Sequence, residues 1–177
     1  MKNLPIALLV ALFVYSCQSG DAPTQEIQQA KEKIESVQDT TPRVTGIGGI
    51  FFLSENPQAI REWYGSNLGL AIDDFGSPFE FRNANRPDEV NYLRWSPFEQ
   101  TSDHFQPSQK PFMINYRVHN MEALVRKLQK NGVTILGEIE SFDYGKFIHI
   151  LDPEGNKIEL WEPIDGFFSD SGIKTTK

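Results

Sequence analysis

Two stretches of the sequence carry the same strand and helix signals 64 positions apart. In the first, an alternating apolar run that includes Phe52 leads to Asn56, a favourable helix cap, and Pro57, a favourable first helical residue. In the second, a similar run from Ile114 leads to Asn120, and a glycine follows each predicted helix. A unit this long, present twice, predicts one pseudo-symmetric domain and argues against a solenoid.

Three short β-rich runs follow each predicted helix, with turn residues between them. They occupy residues 70–75, 78–83 and 90–95 in the first half and 133–139, 146–151 and 157–162 in the second. Strand, helix and three strands in each half predict an α+β fold of two βαβββ modules, about 44–100 and 111–163. Each helix covers one face of its module, so the curved sheets should place their other faces around a shared cleft.

The residues of these modules resemble a known superfamily. The runs "GIGGIFFLSENPQAIREWYGSNLGL" from Gly46, "PFMINYRVHNMEAL" from Pro111 and "DPEGNKIELWEP" from Asp152 are similar to glyoxalases, bleomycin-resistance proteins and extradiol dioxygenases, the vicinal oxygen chelate proteins. The resemblance covers residues 44–163 and implies curved mixed sheets around a cleft. That fold hosts many activities, so it implies a small-molecule ligand without naming it.

The N-terminal segment has the features of an export signal. A short basic start precedes an apolar run, residues 4–14, that is too short to span a bilayer comfortably. The tetrapeptide "VYSC" resembles a bacterial lipobox, and its Cys17 is the only cysteine. We therefore predict a lipoprotein anchored through Cys17 on the periplasmic or cell-surface side of a membrane. The alternative is an ordinary cleaved signal in which Cys17 is incidental.

The remaining segments complete the predicted domain organisation. Residues 1–17 form the signal, residues 18–43 a polar and partly helical tether, residues 44–165 the globular domain, and residues 166–177 a flexible tail. The formal net charge is −7 and no lysine or arginine cluster occurs. Binding to nucleic acid or to an anionic bilayer surface is therefore not expected, and membrane contact should occur through the lipid anchor only. Relatives commonly dimerise, so the resemblance allows a homodimer.

The alternation of side chains predicts which residues face the cleft. Apolar positions shared by both modules should face the helices, and the intervening positions should face the cleft. This places Met113, Asn115 and Arg117 on the cleft side of one strand, as candidate ligand-binding residues. In the last strand it places Glu159 and Trp161 on the same side.

The hairpin near the C-terminus brings a histidine and a carboxylate together. The turn at residues 152–156 should pair Leu151 with Lys157, which sets His149 directly opposite Glu159. A shift of one residue would send His149 to the other face. Imidazole titrates near neutral pH, so the two form a candidate acid–base pair. The alternative is that His149 is structural.

Other polar residues have two interpretations each. Tyr144 precedes a flexible glycine and could reach over the cleft as a catalytic phenol, or it could be a half-buried turn residue. Arg117 could bind a carboxylate or carbonyl group of a ligand, or it could neutralise Glu159. His104 lies in a polar linker that contains prolines, and His119 precedes a helix cap, so both are predicted to be on the surface.

The resemblance implies a divalent metal held on the first and last strands of each module. Glu159 stands at the last of the four implied positions. The first-strand positions hold Gly49 and Met113, and residues 90–97 contain no histidine, aspartate or glutamate. Even with His149, the count reaches two ligands, whereas catalytic sites normally supply three. We therefore expect no cofactor, with a divalent metal on Glu159 as the alternative.

The sequence leaves three functions open. The first is a protein that binds or sequesters a small carbonyl or aromatic molecule in the cleft, which the missing metal ligands favour. The second is a lyase, isomerase or dioxygenase-like enzyme, because "HILDPEGNKIE" resembles an extradiol-dioxygenase motif with His149 in place of a substrate-binding tyrosine. The third is a subunit kept for protein contacts.

Overall fold

The computed structural model describes residues 39–177. The predicted signal, the lipidation at Cys17 and the tether up to residue 38 lie outside the described residues. Within the described part of the chain, no helix has the length and apolar character needed to cross a bilayer.

Seven strands of the described region form one mixed sheet. The elements are β1 (Arg43–Ser54), α1 (Pro57–Leu68), β2 (Ser77–Arg82), β3 (Val90–Glu99), a 3-10 turn (Asp103–Phe105), β4 (Phe112–His119), α2 (Met121–Lys130), β5 (Thr134–Phe142), β6 (Gly145–Leu151), β7 (Lys157–Pro163) and α3 (Asp165–Asp170). The strand order is β2-β3-β1-β4-β7-β6-β5. Pairs β1–β3 and β4–β7 are parallel, and the other neighbours are antiparallel. The predicted α+β fold of two modules is confirmed, with β1 and β4 as the seam.

Helices α1 and α2 begin at the predicted caps. The Asn56 side chain accepts a hydrogen bond from the Ala59 backbone N–H at 2.9 Å, which satisfies one of the free donors of the first turn. Asn120 caps Ala123 in the same way at 3.3 Å. Helix α1 ends at Gly69, whose φ of 74° is left-handed and suits a residue without Cβ. Local sequence therefore determines where α1 and α2 begin.

The core between α2 and the sheet confirms the predicted faces. Its buried members are Val118, Met121, Leu124, Val125, Ile148, Ile150 and Leu160. Ile148, Ile150 and Leu160 thus face the helix, and side chains alternate along a strand. His149 and Glu159 must therefore face the opposite, concave side of the sheet.

One predicted strand is missing from the first module. Residues 70–75 contain only an isolated bridge between Asp73 and Gly76. The Asp73 carboxylate accepts hydrogen bonds from the backbone N–H groups of Phe75 and Gly76, at 2.8 and 3.0 Å, and also binds Arg94. Local side-chain bonds of this kind compete with strand pairing, and they explain the turn.

The C-terminal residues differ from the predicted flexible tail over 166–177. Most of α3 lies there, and Thr176 forms a parallel bridge with Phe79 of the edge strand β2. The Thr176 N–H donates to the Pro78 carbonyl at 2.8 Å, and its carbonyl accepts from the Glu80 N–H at 3.1 Å. An edge strand has unpaired backbone groups, and the chain end satisfies some of them.

The linker between the modules is folded onto the concave face. Phe105 of the 3-10 turn is 2% exposed and packs with Phe51 and with the fully buried Met113. The turn therefore covers one end of the concave face. Met113 faces the predicted side, but it belongs to the core beneath the turn, so its assignment to the ligand-binding wall is wrong.

Candidate functional site

A cavity of about 640 Å³ opens on the concave face of the sheet. Its aromatic lining residues include Phe51, Tyr92, Phe147, Trp161, Phe167 and Phe168. Among its polar lining residues, Glu159 and Asn115 come from the central strands β7 and β4. The first module adds Asp73, Asp74 and Arg94, and Arg94 is paired with Asp73. An apolar wall with a small number of placed polar groups is the usual composition of a small-molecule site.

Glycines of β1 make room for the side chains in this wall. A Cβ at Gly48 would lie 2.8 Å from Cε3 of Trp161 and closer still to Oδ1 of Asn115. A Cβ at Gly49 would meet the ring of Phe51 at 2.6 Å. The register of β1 against β4 shifts at this point, as in a β-bulge. The glycine run therefore lets aromatic and amide groups pack directly on the backbone.

The predicted hairpin register is confirmed, and it joins three polar side chains. His149 lies opposite Glu159, and Asn115 lies beside Glu159 in the parallel β4–β7 pair. The two Glu159 oxygens have different partners: Oε1 accepts from Nδ2 of Asn115 at 2.6 Å, and Oε2 lies 3.0 Å from Nε2 of His149. Asn115 and Glu159 are only 2% and 7% exposed. The carboxylate orientation is thus fixed from two sides.

His104 is the third group beside the Glu159 carboxylate. Its Nε2 lies 3.9 Å from Oε2 of Glu159. The imidazole stacks flat on Phe98, with ring centroids 4.9 Å apart and 4° between planes, and meets His149 edge-on at 5.6 Å. The His104 side chain is 35% exposed, so the predicted surface position is only partly correct. The linker folds inward and carries this ring to the carboxylate.

Several contacts hold His104 in this position. Its carbonyl accepts a hydrogen bond from Nζ of Lys157 at 2.6 Å, and its N–H donates to Oγ of Ser102 at 3.2 Å. Burial lowers the pKa of His104 below its ordinary value, with Lys157 and His149 acting in the same direction and Glu159 opposing them. The sequence signal for this turn was Phe105, an apolar residue in an otherwise polar linker.

Arg117 forms its ion pair with Asp165 and not with Glu159. Its guanidinium donates to Oδ2 of Asp165 at 2.5 Å and to the Tyr92 carbonyl at 3.0 Å, and it lies over Trp161. The predicted neutralisation of Glu159 is therefore wrong, because α3 supplies Asp165 as the partner. Burial raises the pKa of Asp165 even though Arg117 opposes the shift. Arg117 lines a second, polar cavity of about 430 Å³ and not the aromatic one.

Tyr144 lies at the rim of the aromatic cavity. Its ring stacks on Phe142 at 5.3 Å, and its carbonyl accepts a hydrogen bond from Nε1 of Trp161 at 3.1 Å. Since this bond uses the indole N–H, Trp161 presents its ring to the cavity. Of the predicted site residues, the structure thus gathers His149, Glu159 and Asn115 in contact, with Trp161 and Tyr144 nearby.

The sequence profile of the Glyoxalase/Bleomycin resistance protein/Dioxygenase superfamily matches residues 46–160, more than half of the chain. The chain belongs to this superfamily. Comparison with curated proteins found no significant match.

Three solved structures are similar to this chain to different degrees. A methylmalonyl-CoA epimerase variant from Streptomyces coelicolor, in complex with 2-nitronate-propionyl-CoA, has a TM-score of 0.51 at 14% identity, covering 69% of this chain and 99% of that one. The epimerase from Mycobacterium tuberculosis has a TM-score of 0.46 at 19% identity, covering 71% and 93%. A Mn(II)-bound glyoxalase from Novosphingobium aromaticivorans has a TM-score of 0.47 at 15% identity, covering 69% of this chain and 40% of that one. At these identities the likeness concerns the fold alone.

The metal arrangement common in the superfamily does not fit the residues present. Among the four implied positions, all within the described residues, only Glu159 offers a ligand atom that suits a divalent ion. Any Cβ at Gly49 would strike Phe51, and Met113 is enclosed by Phe51 and Phe105. The four strand positions implied by the resemblance therefore supply one ligand in this chain.

Proposed function

We propose that this superfamily member binds a small planar aromatic molecule in the 640 Å³ cavity, through a hydroxyl or amino group that donates to Glu159. The observation that carries the proposal is the Glu159 carboxylate, which Asn115 and His149 hold from two sides within the aromatic wall. The cavity is also lined by Asp73, Asp74 and Arg94, and Asp73 and Arg94 pair with each other. An ionised carboxylate only accepts hydrogen bonds, so it favours a ligand that donates one and opposes a ligand that is itself an anion.

The wall supports an aromatic ligand because its rings are already ordered. Phe147 and Trp161 stack with centroids 5.8 Å apart and 10° between planes, and Phe168 meets Trp161 edge-on at 5.6 Å. A flat ring placed against such faces gains about 0.5–1.5 kcal/mol beyond the burial of its area. The cavity volume also lies within the usual range for a small-molecule site.

A series of matched bicyclic probes tests the proposal. We expect 2-naphthol to raise the melting temperature of the protein more than naphthalene does, and 2-naphthoate to have little effect. Titration calorimetry of Glu159→Gln should show 2-naphthol binding weakened about tenfold, because the charged acceptor is lost.

Two tryptophan variants give the matched control. Trp161→Leu should lose binding of 2-naphthol, whereas Trp63→Leu, on α1 and 53% exposed, should retain it. Equal affinity of Trp161→Leu and wild type, or a series in which 2-naphthoate binds best, would show that this cavity does not select ligands as proposed.

A second candidate function is acid–base catalysis on a bound carbonyl compound. The observation that favours it is the 3.0 Å separation between Nε2 of His149 and Oε2 of Glu159. A carboxylate at that distance can orient an imidazole as a general base. It ranks second because Glu159 lines the cavity whereas His149 does not. If the wild type catalyses deuterium exchange into a bound ketone and His149→Gln abolishes that exchange, the result would favour this catalytic function.

We also propose that Cys17 is lipidated and holds the domain on the periplasmic or cell-surface side of a membrane. Support comes from the apolar run that precedes this sole cysteine. Cys17→Ser should lose incorporation of labelled palmitate and leave the membrane fraction, whereas Ser16→Ala should keep both. Continued labelling of Cys17→Ser would contradict the proposal.

A further inference from the structure

We propose that His104, His149 and Glu159 form a site for a divalent transition ion such as Zn²⁺, in which Glu159 occupies one of the four implied strand positions and the two histidines lie outside them. The three residues each offer a ligand atom, and these atoms all lie within 4.8 Å of one another. Two imidazoles and one carboxylate are a ligand set that suits zinc and leaves a coordination position open. The inference goes beyond the proposed function and does not depend on it.

The distances are close to those a metal needs. Ligand atoms bound to one tetrahedral zinc at 2.0–2.1 Å lie about 3.3 Å apart. Nε2 of His149 is 3.0 Å from Oε2 of Glu159, and Nε2 of His104 is 3.9 Å from the same oxygen. Only His104 must approach, and it is carried by a short turn in the linker and not by the sheet.

The ligands are held by a second layer of contacts. Stacking on Phe98 fixes the His104 ring, and the amide of Asn115 fixes Glu159 through its other oxygen. His149 is held by β6, whose neighbouring residues Ile148 and Ile150 are buried on the other face of the sheet. Outer contacts of this kind orient metal ligands before the ion arrives.

The charge of the cluster also suits an ion. A histidine binds a metal through a ring nitrogen of its neutral form. The ammonium of Lys157 opposes a cation, but its Nζ donates to the His104 carbonyl at 2.6 Å. The nearest negative charge is Glu159, which faces both rings.

A hydrogen-bond network without metal explains only part of this arrangement. The imidazole N–H of His149 donates a hydrogen bond to Oε2 of Glu159 at 3.0 Å. The second nitrogen, on His104, points at the same oxygen from 3.9 Å, which is beyond hydrogen-bond distance. An ion between the three groups would give every ligand atom a bond.

The site is tested on the untagged full-length chain after removal of metals with a chelator. We expect elemental analysis to find about one zinc per chain after zinc is returned, and the Co²⁺-loaded protein to show visible absorption bands typical of nitrogen and oxygen ligands. His104→Ala and His149→Ala should each weaken zinc binding about 100-fold or more, since loss of even an outer contact costs 10–100-fold.

Matched variants separate this site from other sources of metal binding. His119→Ala, the same change at the remaining histidine, should retain the zinc, and so should Trp161→Leu even though it loses the aromatic ligand. Circular dichroism verifies the folding of each variant. Absence of stoichiometric zinc and of the Co²⁺ bands in the wild type, or unchanged zinc in folded His104→Ala, overturns the proposal. The first of these readouts does not depend on any variant folding.

Discussion

Gly48→Ala is expected to lower the free energy of unfolding by about 3 kcal/mol, the upper end of the cost of overpacking a core. The new methyl group would lie 2.8 Å from the Trp161 ring and closer to the Asn115 amide oxygen. Neither neighbour can move freely, because Trp161 is 5% exposed and donates to the Tyr144 carbonyl, and Asn115 is 2% exposed and bonded to Glu159. The strand must shift or the wall of the cavity must open.

Urea denaturation of wild type and variant measures this change, and the probe 2-naphthol reports on the cavity. The control is Gly166→Ala, since a Cβ there meets no heavy atom within 4 Å. We expect the control to stay within about 0.5 kcal/mol of the wild type. If Gly48→Ala were as stable as Gly166→Ala and bound the probe equally well, close packing on β1 would not define the cavity.

The features predicted from sequence are those that nearby residues determine. The caps Asn56 and Asn120 bind backbone groups three residues away, so a short window of sequence contains both partners. The pairing of His149 with Glu159 follows from the length of one turn and the two-residue period of strands. Because these rules are local, they also identified the concave face correctly.

The features that sequence did not reveal depend on contacts between distant residues. His104 reaches Glu159 because Phe105 packs on Phe51 and because Lys157, 53 positions away, binds the His104 carbonyl. Composition made the linker look like a surface loop, and a single apolar residue in it is a weak signal. The sequence therefore indicates two candidate metal ligands, one fewer than the three that the structure brings together.

Glu159 links the two proposals for this protein physically. One of its oxygens faces Asn115 in the cavity wall, and the other faces the two histidines. An ion bound to the histidine side would withdraw charge from the carboxylate and weaken it as an acceptor for a ligand. If both proposals hold, the zinc-loaded protein should therefore bind 2-naphthol more weakly than the metal-free protein does.

Arg117→Met is expected to destabilise the protein by about 3 kcal/mol near neutral pH, because it leaves the Asp165 carboxylate without its partner in a partly buried site. The Arg117 side chain is 3% exposed, and the pair fastens α3 to β4. Helix α3 carries Phe167 and Phe168, which line the cavity. A loss of stability here should be accompanied by weaker binding of 2-naphthol.

The pH dependence identifies Asp165 as the cause. Burial raises the pKa of Asp165 above its ordinary value in the wild type, and loss of Arg117 should raise it further. A carboxyl group whose pKa is raised on folding contributes most stability below its unfolded pKa, and that stability is lost as the pH rises through the folded pKa. The deficit of Arg117→Met should therefore be smaller at about pH 5 than at about pH 7.5.

Two further variants complete the test by denaturant unfolding. Arg117→Met with Asp165→Asn should be more stable than Arg117→Met alone, since no unpaired charge remains. Arg86→Met breaks the exposed pair with Glu89, whose side chains are 60% and 33% exposed, and should cost less than about 1 kcal/mol. A deficit of Arg117→Met that is equal at both pH values and unchanged by Asp165→Asn would mean that the guanidinium acts through its packing on Trp161 and its bond to the Tyr92 carbonyl, and not through Asp165.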